Sequence, residues 1–356
     1  LRGSLMNQKY TNNHNIPLPL ALWLAVDEYS YAKTANEISA TTLLRSPRFI
    51  IGTRRMMYPE QFDIKPESVS YITEQLLSDK SVLPDIMDYL PSRIGTAIHN
   101  AVENAWSNSE LRKQGLLALG YPDAVIDNLK VNPEGLEHDS NQPIVRLENR
   151  LYREIDGFVI SGQYDFIGEG QLHDIKTTKT YSWTSGCNDQ KYMQQGSIYR
   201  WLDPNLIQSD TVIINFIFTD WQKSRMYDEG YPRTPVAYKY FDLMSVSETE
   251  MFIQNKIDML KKFWNEPLEN IPCCTPQELY TSPPVYKYYA NGAANSTRST
   301  KNFGSLAEAT AYKAKKGHIG DIIEYRGTPF TCPFCLPEEL AETATQPIST
   351  EVIKFK

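Results

Sequence analysis

Phe158-Val159-Ile160-Ser161-Gly162-Gln163-Tyr164-Asp165-Phe166-Ile167-Gly168-Glu169-Gly170-Gln171-Leu172-His173-Asp174-Ile175-Lys176-Thr177 is the stretch on which the fold turns. Val159, Ser161, Gln163 and Asp165 alternate with Phe158, Ile160, Tyr164 and Phe166. A period of two is strand chemistry, because successive side chains point to opposite faces. Gly168-Glu169-Gly170 supplies a turn, and Leu172 to Thr177 returns as a second strand. Asp174 and Lys176 are two apart and share a face. A hairpin closed at Gly168–Gly170 sets Asp165 roughly opposite Asp174, so two carboxylates and one ammonium converge. Neighbouring carboxylates repel unless a cation lies between them. A hard divalent ion such as Mg²⁺ takes this kind of oxygen. Lys176 would then neutralise a scissile phosphate and orient an attacking water. An Asp-x-Lys triplet alone is common and fits a surface hairpin with scattered charge, so its surroundings decide.

Upstream, Ser92 is placed to cap a helix running to about Ser107, with Ile94, Ala97, Ile98, Ala101, Val102 and Ala105 at helical spacing. Gly95, His99 and Glu103 are four apart and share one face of it. His99 is either a metal ligand through a neutral imidazole or a packed residue. Glu103 would hold His99 or a strand end from behind. Glu148, at the start of the first strand, and Glu154 are further carboxylates ranked below Asp165. Downstream, a helix fits Asp189 to Leu202, with Gln195 and Tyr199 four apart on one face. Thr211 to Phe218 and Val236 to Leu243 read as strands. Ser247 and Glu250 form a capping-box pattern for a helix ending near Trp264. The order helix, three strands, helix, two strands predicts a mixed α/β layered core.

Three motifs in that order resemble the PD-(D/E)xK nuclease superfamily, its RecB-like branch with phage-encoded members above all. They are Gly95-x-x-x-His99-x-x-x-Glu103, then Gly162-x-x-Asp165 with Asp174-Ile175-Lys176, then Gln195-x-x-x-Tyr199. Together they span about residues 92–202. The resemblance implies a restriction-endonuclease-like mixed sheet flanked by helices. It implies Mg²⁺ or Mn²⁺ held by Asp165, Asp174 and His99, with the carbonyl of Ile175 as a further ligand. Lys176 would be catalytic, and Gln195 and Tyr199 would line the site or contact DNA near the cut. The activity implied is DNA phosphodiester hydrolysis, by an exonuclease in phage recombination or replication, with DNA and a recombination or replication protein as partners. The alternative is a non-catalytic DNA- or protein-binding module on the same fold; mutually repelling acids argue against it. Glycosidase-like acid/base chemistry leaves Lys176 without a task.

Around this core (91–266) the chain divides by composition. Leu1-Arg2-Gly3-Ser4-Leu5 reads as a cloning remnant, with Met6 as the natural start. Residues 6–90 read as a helical N-terminal part. Its most basic stretch, Ile38 to Arg48 with Arg54 and Arg55, is either a solvated loop or a phosphate-contacting edge. Residues 267–340 form a small cysteine-containing C-terminal module with a lysine-rich helix at about 305–316, and 341–356 a loose tail. Cys332-Pro333-Phe334-Cys335 is half of a zinc or iron–sulfur site, with Cys273 or Cys274 completing it and His318 as another candidate ligand. By resemblance, iron–sulfur members also carry a cysteine ahead of the core. None precedes Cys187 here, which favours structural Zn²⁺ or free thiols.

The bulk composition narrows the class. The chain has 356 residues, 41% hydrophobic and 12% aromatic, which suits a packed core and excludes a disordered chain. A net charge of -7 disfavours wrapping DNA by bulk positive charge but leaves metal catalysis open. No apolar run of membrane-spanning length and no signal peptide is evident. Five unevenly placed cysteines are no secreted disulfide framework, so a reducing, cytoplasmic compartment is expected.

Overall fold

Asp156-Gly157, flanked by alternating apolar residues, closes a tight hairpin, with both residues at positive φ (51° and 80°) as a type I′ turn requires. The computed structural model describes residues 9–27, 32–62, 83–134, 142–275, 278, 285–293, 296–325 and 332–335. The tail at 341–356 and the leading five residues lie outside them. In chain order the elements are α1 (Leu18–Ala25), β1 (Glu37–Ser39), α2 (Ala40–Leu43), α3 (Pro47–Met57), α4 (Leu90–Ser107), α5 (Ser109–Ala118), α6 (Asp123–Asn128), β2 (Lys130–Val131), β3 (Ile144–Leu147), β4 (Arg150–Ile155), β5 (Phe158–Gln163), β6 (Phe166–Gly168) and β7 (Gln171–Thr178). There follow α7 (Thr180–Ser185), α8 (Asp189–Leu202), β8 (Thr211–Phe218), β9 (Val236–Asp242), α9 (Val246–Phe263), β10 (Val285–Tyr289), β11 (Lys301–Phe303), α10 (Leu306–Lys315) and β12 (Asp321–Tyr325). The class is the mixed α/β one expected. Among the described residues no helix is long and apolar enough to cross a membrane.

The described residues fall into two units. One is drawn from Leu1–Leu44 and Asp79–Lys261, the other from Arg45–Ser78 and Lys262–Lys356. The first holds a six-stranded sheet of order β2-β3-β6-β7-β8-β9 and a three-stranded sheet β1-β5-β4. β7 and β8 run parallel because the chain between them crosses over through α7 and α8. β8 is apolar almost throughout and largely buried, as a strand covered on both faces should be. α8 packs on β5 and β8 and buries Ile198 and Trp201.

Six strands, β2 to β7, replace the three expected between α4 and α8. The reason is local. Leu147↔Phe166 and Arg150↔Gln163 belong to one continuous antiparallel register, yet the strands between them stop. Both arms of the hairpin break at the same level, at Glu148-Asn149 and at Tyr164-Asp165. Beyond the break the chain leaves one sheet and enters the other. Glu148 takes a φ of 45°, and its N–H donates to the Asp165 carbonyl at 3.2 Å.

Two helix starts differ from expectation. α4 grows out of a 3-10 turn, Ile86–Tyr89, so Ser92 lies inside the helix and donates to the Tyr89 carbonyl at 2.8 Å. The capping box of α9 uses Ser245 and Glu248 instead of Ser247 and Glu250. Ser245 Oγ accepts the Glu248 N–H at 3.2 Å, and Glu248 Oε2 accepts the Ser245 N–H at 2.8 Å.

In the second unit, a small antiparallel sheet β11-β10-β12 packs one face on α10 through Tyr288, Ala309 and Ile322. In the basic stretch, Ile38 to Arg48 with Arg54 and Arg55, Arg48 and Arg54 are buried and Arg55 is half-buried, so these three are not a solvated loop. Arg48 is 1% exposed and donates to the carbonyls of Ile271 (Nε, 2.8 Å), Phe334 (3.3 Å) and Glu269 (3.4 Å). Arg55 donates to the carbonyls of Trp264 (2.6 Å) and Glu266 (2.7 Å). Desolvation pulls the Arg55 guanidinium down to about 10, against Glu269 and Glu266.

Candidate active site

The double break in the hairpin sets the centre, because Glu148 falls opposite Asp165 in the register. Asp165 is aimed by a 2.6 Å hydrogen bond from the Ile175 N–H to its Oδ2. Glu148 is held by Gln163 Nε2, 2.8 Å from its Oε2. α4 brings His99 across them, with Nδ1 3.3 Å from Asp165 Oδ1 and 3.6 Å from Glu148 Oε1. Nε2 lies 3.1 Å from the Ile175 carbonyl. A carbonyl only accepts, so Nε2 carries a proton there and Nδ1 is the atom turned towards the acids. Hydrogen bonding to Asp165, then to Glu148, pushes the imidazole pKa up to about 10, with burial opposing. Ligand atoms of His99, Glu148 and Asp165 all lie within 4.8 Å of one another. The three line a cavity of about 940 Å³ whose wall also includes Arg93, Arg150 and Tyr199.

Asp174 and Lys176 stand next to this set on β7. Lys176 Nζ is 2.6 Å from Asp174 Oδ2. Asp174 is 3% exposed, and burial pushes its carboxyl up to about 6, with Lys176 opposing. Burial pulls Lys176 down, but Asp174 and Asp165 outweigh it and the net shift is upward. Gln195 Nε2 donates to Tyr199 Oη at 2.7 Å and to Asp174 Oδ1 at 3.3 Å. Gln195 thus ties the third motif to the second. Gly162 explains itself here: a Cβ would stand 2.6 Å from the Tyr199 ring and 2.9 Å from Leu202.

The structure therefore brings together His99, Asp165, Asp174, Lys176, Gln195 and Tyr199. It raises Glu148 to equal rank with Asp165. The Ile175 carbonyl faces His99. Glu103 is half-buried and falls outside the three-residue donor set, and Glu154 is exposed on β4. Sequence reasoning passed over Gln163 and undervalued Glu148. The signal was there: counting outward from the Asp156-Gly157 turn pairs Glu148 with Asp165.

No family model and no curated protein sequence matches the chain. Among solved structures, the crystal structure of SSO0001 aligns with a TM-score of 0.34 and 17% identity, over 67% of this chain and 81% of that one. A phage-related exonuclease from Haemophilus somnus 129PT is a distant neighbour, with a TM-score of 0.24 and 15% identity. The alignment covers 35% of this chain and 62% of the exonuclease. At those values neither likeness bears on chemistry, and any functional reading rests on the site itself.

In the second unit three thiols gather. Cys274, Cys332 and Cys335 are buried, with their sulfurs within 4.8 Å of one another. Cys335 Sγ is 3.6 Å from Cys274 Sγ, and Ser46 Oγ is 2.9 Å from the latter. Hydrogen bonds from Cys274 and then Cys332 pull the Cys335 thiol far down. Those to Cys274 and Cys335 push Cys332 up. Cys273 is half-buried and also hydrogen-bonds Cys335. His318 is exposed beyond α10 and stands apart from this trio.

Proposed function

We propose that the protein is a divalent-metal-dependent nuclease of the PD-(D/E)xK type that hydrolyses DNA phosphodiester bonds. The observation that carries this reading is one cleft holding two facing carboxylates and an imidazole, with a buried Asp–Lys ion pair on the adjoining strand. Oxygen and imidazole donors suit Mg²⁺ or Mn²⁺. Glu148, Asp165 and His99 Nδ1 would hold the ion, with Asp174 and the Ile175 carbonyl as the further ligands that the motif resemblance implies. The ion would supply Lewis acidity and lower the pKa of a bound water.

The remaining roles belong to the chain. Lys176 offsets negative charge on the phosphate and on the leaving oxygen. Asp174 keeps Lys176 in place, and Gln195 and Tyr199 keep Asp174 in place. Gln163 orients Glu148. The finer reading, an exonuclease acting in phage recombination or replication beside a partner protein, follows from the motif resemblance alone.

The cysteine trio, with Cys273 beside it, supports a structural Zn²⁺ in the second unit. Soft thiolates in a closed, buried set suit that ion. Zinc near one per chain by elemental analysis supports this. Iron with a brown colour would mean a cluster instead, and metal-free protein with titratable thiols would mean neither.

The test of the main reading is incubation with end-labelled linear, nicked and circular DNA, with and without Mg²⁺. Cleavage should require the metal. It should fall about 100-fold or more in Asp165→Ala, Asp174→Ala and Lys176→Ala. Binding without cleavage in every arm would instead mark a non-catalytic module.

A further inference from the structure

The small sheet of the second unit carries a charge opposite to that of the chain. The whole protein has 36 Lys and Arg against 43 Asp and Glu, whereas residues 285–325 have six bases against three acids. Apart from Lys287 on β10, whose Nζ is 3.7 Å from the Tyr325 ring centroid, the signs are also segregated. Asp321 and Glu324 lie on β12, one edge of the sheet, and Glu308 lies in the first turn of α10, where the helix dipole favours it. Asp321 is further occupied by the Ala293 N–H at 2.8 Å. Arg298 and Lys301 lie at the other edge, just before and on β11, and Lys313, Lys315 and Lys316 at the end of α10.

One lysine of each basic group lies near the Tyr312 ring. Lys301 Nζ is 5.0 Å from the centroid of the Tyr312 ring, and Lys316 Nζ is 5.7 Å from the same ring. Lys301 is also 5.3 Å from the Phe303 ring, which packs on Tyr312. Arg298, Lys301, Lys315 and Lys316 are exposed. Lysines in the last turn of α10 complement its dipole. That reason does not cover Arg298 and Lys301, which come from a sheet edge. Like charges gathered around one ring repel, and an anion bound beside them offsets that repulsion.

We propose that this face, centred on Lys301 and Lys316 with Arg298 and Lys315 at its rim, binds the phosphodiester backbone of a nucleic-acid strand. Lysines act as point charges towards phosphate oxygens and read no sequence. Outside residues 285–325 the chain has 30 Lys and Arg against 40 Asp and Glu, so bulk charge there does not draw the same polymer. An acidic protein segment would feel the same charge; choosing nucleic acid over it rests on the nuclease reading.

The test uses the full chain in EDTA, so that binding is read without cleavage. Fluorescence anisotropy with labelled single-stranded and duplex oligonucleotides is followed over a salt series. Lys301→Glu combined with Lys316→Glu should weaken binding about tenfold or more at low salt. It should flatten the slope of log K against log salt by about 1.4 for single strands, two phosphates at about 0.7 each. Lys301→Gln with Lys316→Gln is the milder second variant, and thermal melting checks that both fold. Unchanged affinity and slope in both variants would overturn the proposal. So would equal binding of poly-glutamate, lost equally in the variants, since that marks a dock for acidic proteins. The two readings fail separately: binding through this face with no Mg²⁺-dependent cleavage sinks only the nuclease reading, and cleavage with unaltered binding in the variants sinks only this one.

Discussion

Gly162→Ala tests how closely the site depends on packing. The added methyl would sit 2.6 and 2.7 Å from two carbons of the Tyr199 ring and 2.9 Å from Leu202 Cδ1. Carbon atoms prefer about 3.5–4.0 Å, so one partner must move by roughly 1 Å. Both are packed on nearly all sides, with Tyr199 4% and Leu202 8% exposed. Overpacking of this kind costs about 1–3 kcal/mol. At about 2 kcal/mol, melting of a unit this size should fall by about 4–8 °C. The functional consequence is larger than the packing loss. Tyr199 Oη accepts the 2.7 Å hydrogen bond from Gln195, whose 3.3 Å contact to Asp174 is already long. A shift of about 1 Å breaks that chain, so cleavage should drop well beyond the change in folded fraction. Calorimetry in EDTA and a cleavage assay at a temperature where both proteins are folded read the two effects. In a Tyr199→Ala background the methyl has room, so the Gly162→Ala cost should shrink by about 1 kcal/mol or more. Equal cost in both backgrounds, or an unchanged melting temperature, would refute the close-approach reasoning.

Other consequences follow from single contacts. His99→Ala should weaken Mn²⁺ binding by about tenfold in calorimetric titration, in keeping with losses at metal sites; unchanged affinity would make His99 a packing residue. Arg48→Met strands the carbonyls of Ile271, Phe334 and Glu269 and should destabilise the second unit by about 3 kcal/mol in urea unfolding, since bonds to charged donors contribute about 1.5–3 kcal/mol each. Asp85 accepts the Asn13 and Met87 N–H groups, which hold its carboxyl below the usual 3.8. Its folded pKa is therefore depressed, so the stability it adds is present above the unfolded value and is lost as pH falls through the lowered one. Carboxyl NMR should find its midpoint below 3.8, and Asp85→Asn should flatten the acid limb of stability.

Much of the first unit was legible residue by residue. The alternation from Phe158 to Gln163, the Gly168–Gly170 turn and the two-residue spacing of Asp174 and Lys176 are properties of single strands. The four-residue spacings of Gly95, His99 and Glu103, and of Gln195 and Tyr199, are properties of single helices. Each survives in the structure because backbone geometry alone sets which side chains share a face. Two helix starts shifted: α4 begins behind Tyr89, three residues before Ser92 and without a side-chain cap, and α9 is capped by Ser245, two residues before Ser247.

What the tertiary structure decided is of another kind. The paired break at Glu148-Asn149 and Tyr164-Asp165 depends on two sheets claiming one hairpin, and it made Glu148 the neighbour of Asp165. Burial turned Arg48 from a charge for solvent into a donor for three carbonyls. Cys274 met Cys332 and Cys335 across nearly sixty residues of chain. Periodicity and capping act within one element. Which elements meet is settled by apolar burial and by the need to satisfy every buried polar group, and those act only once distant segments are in contact.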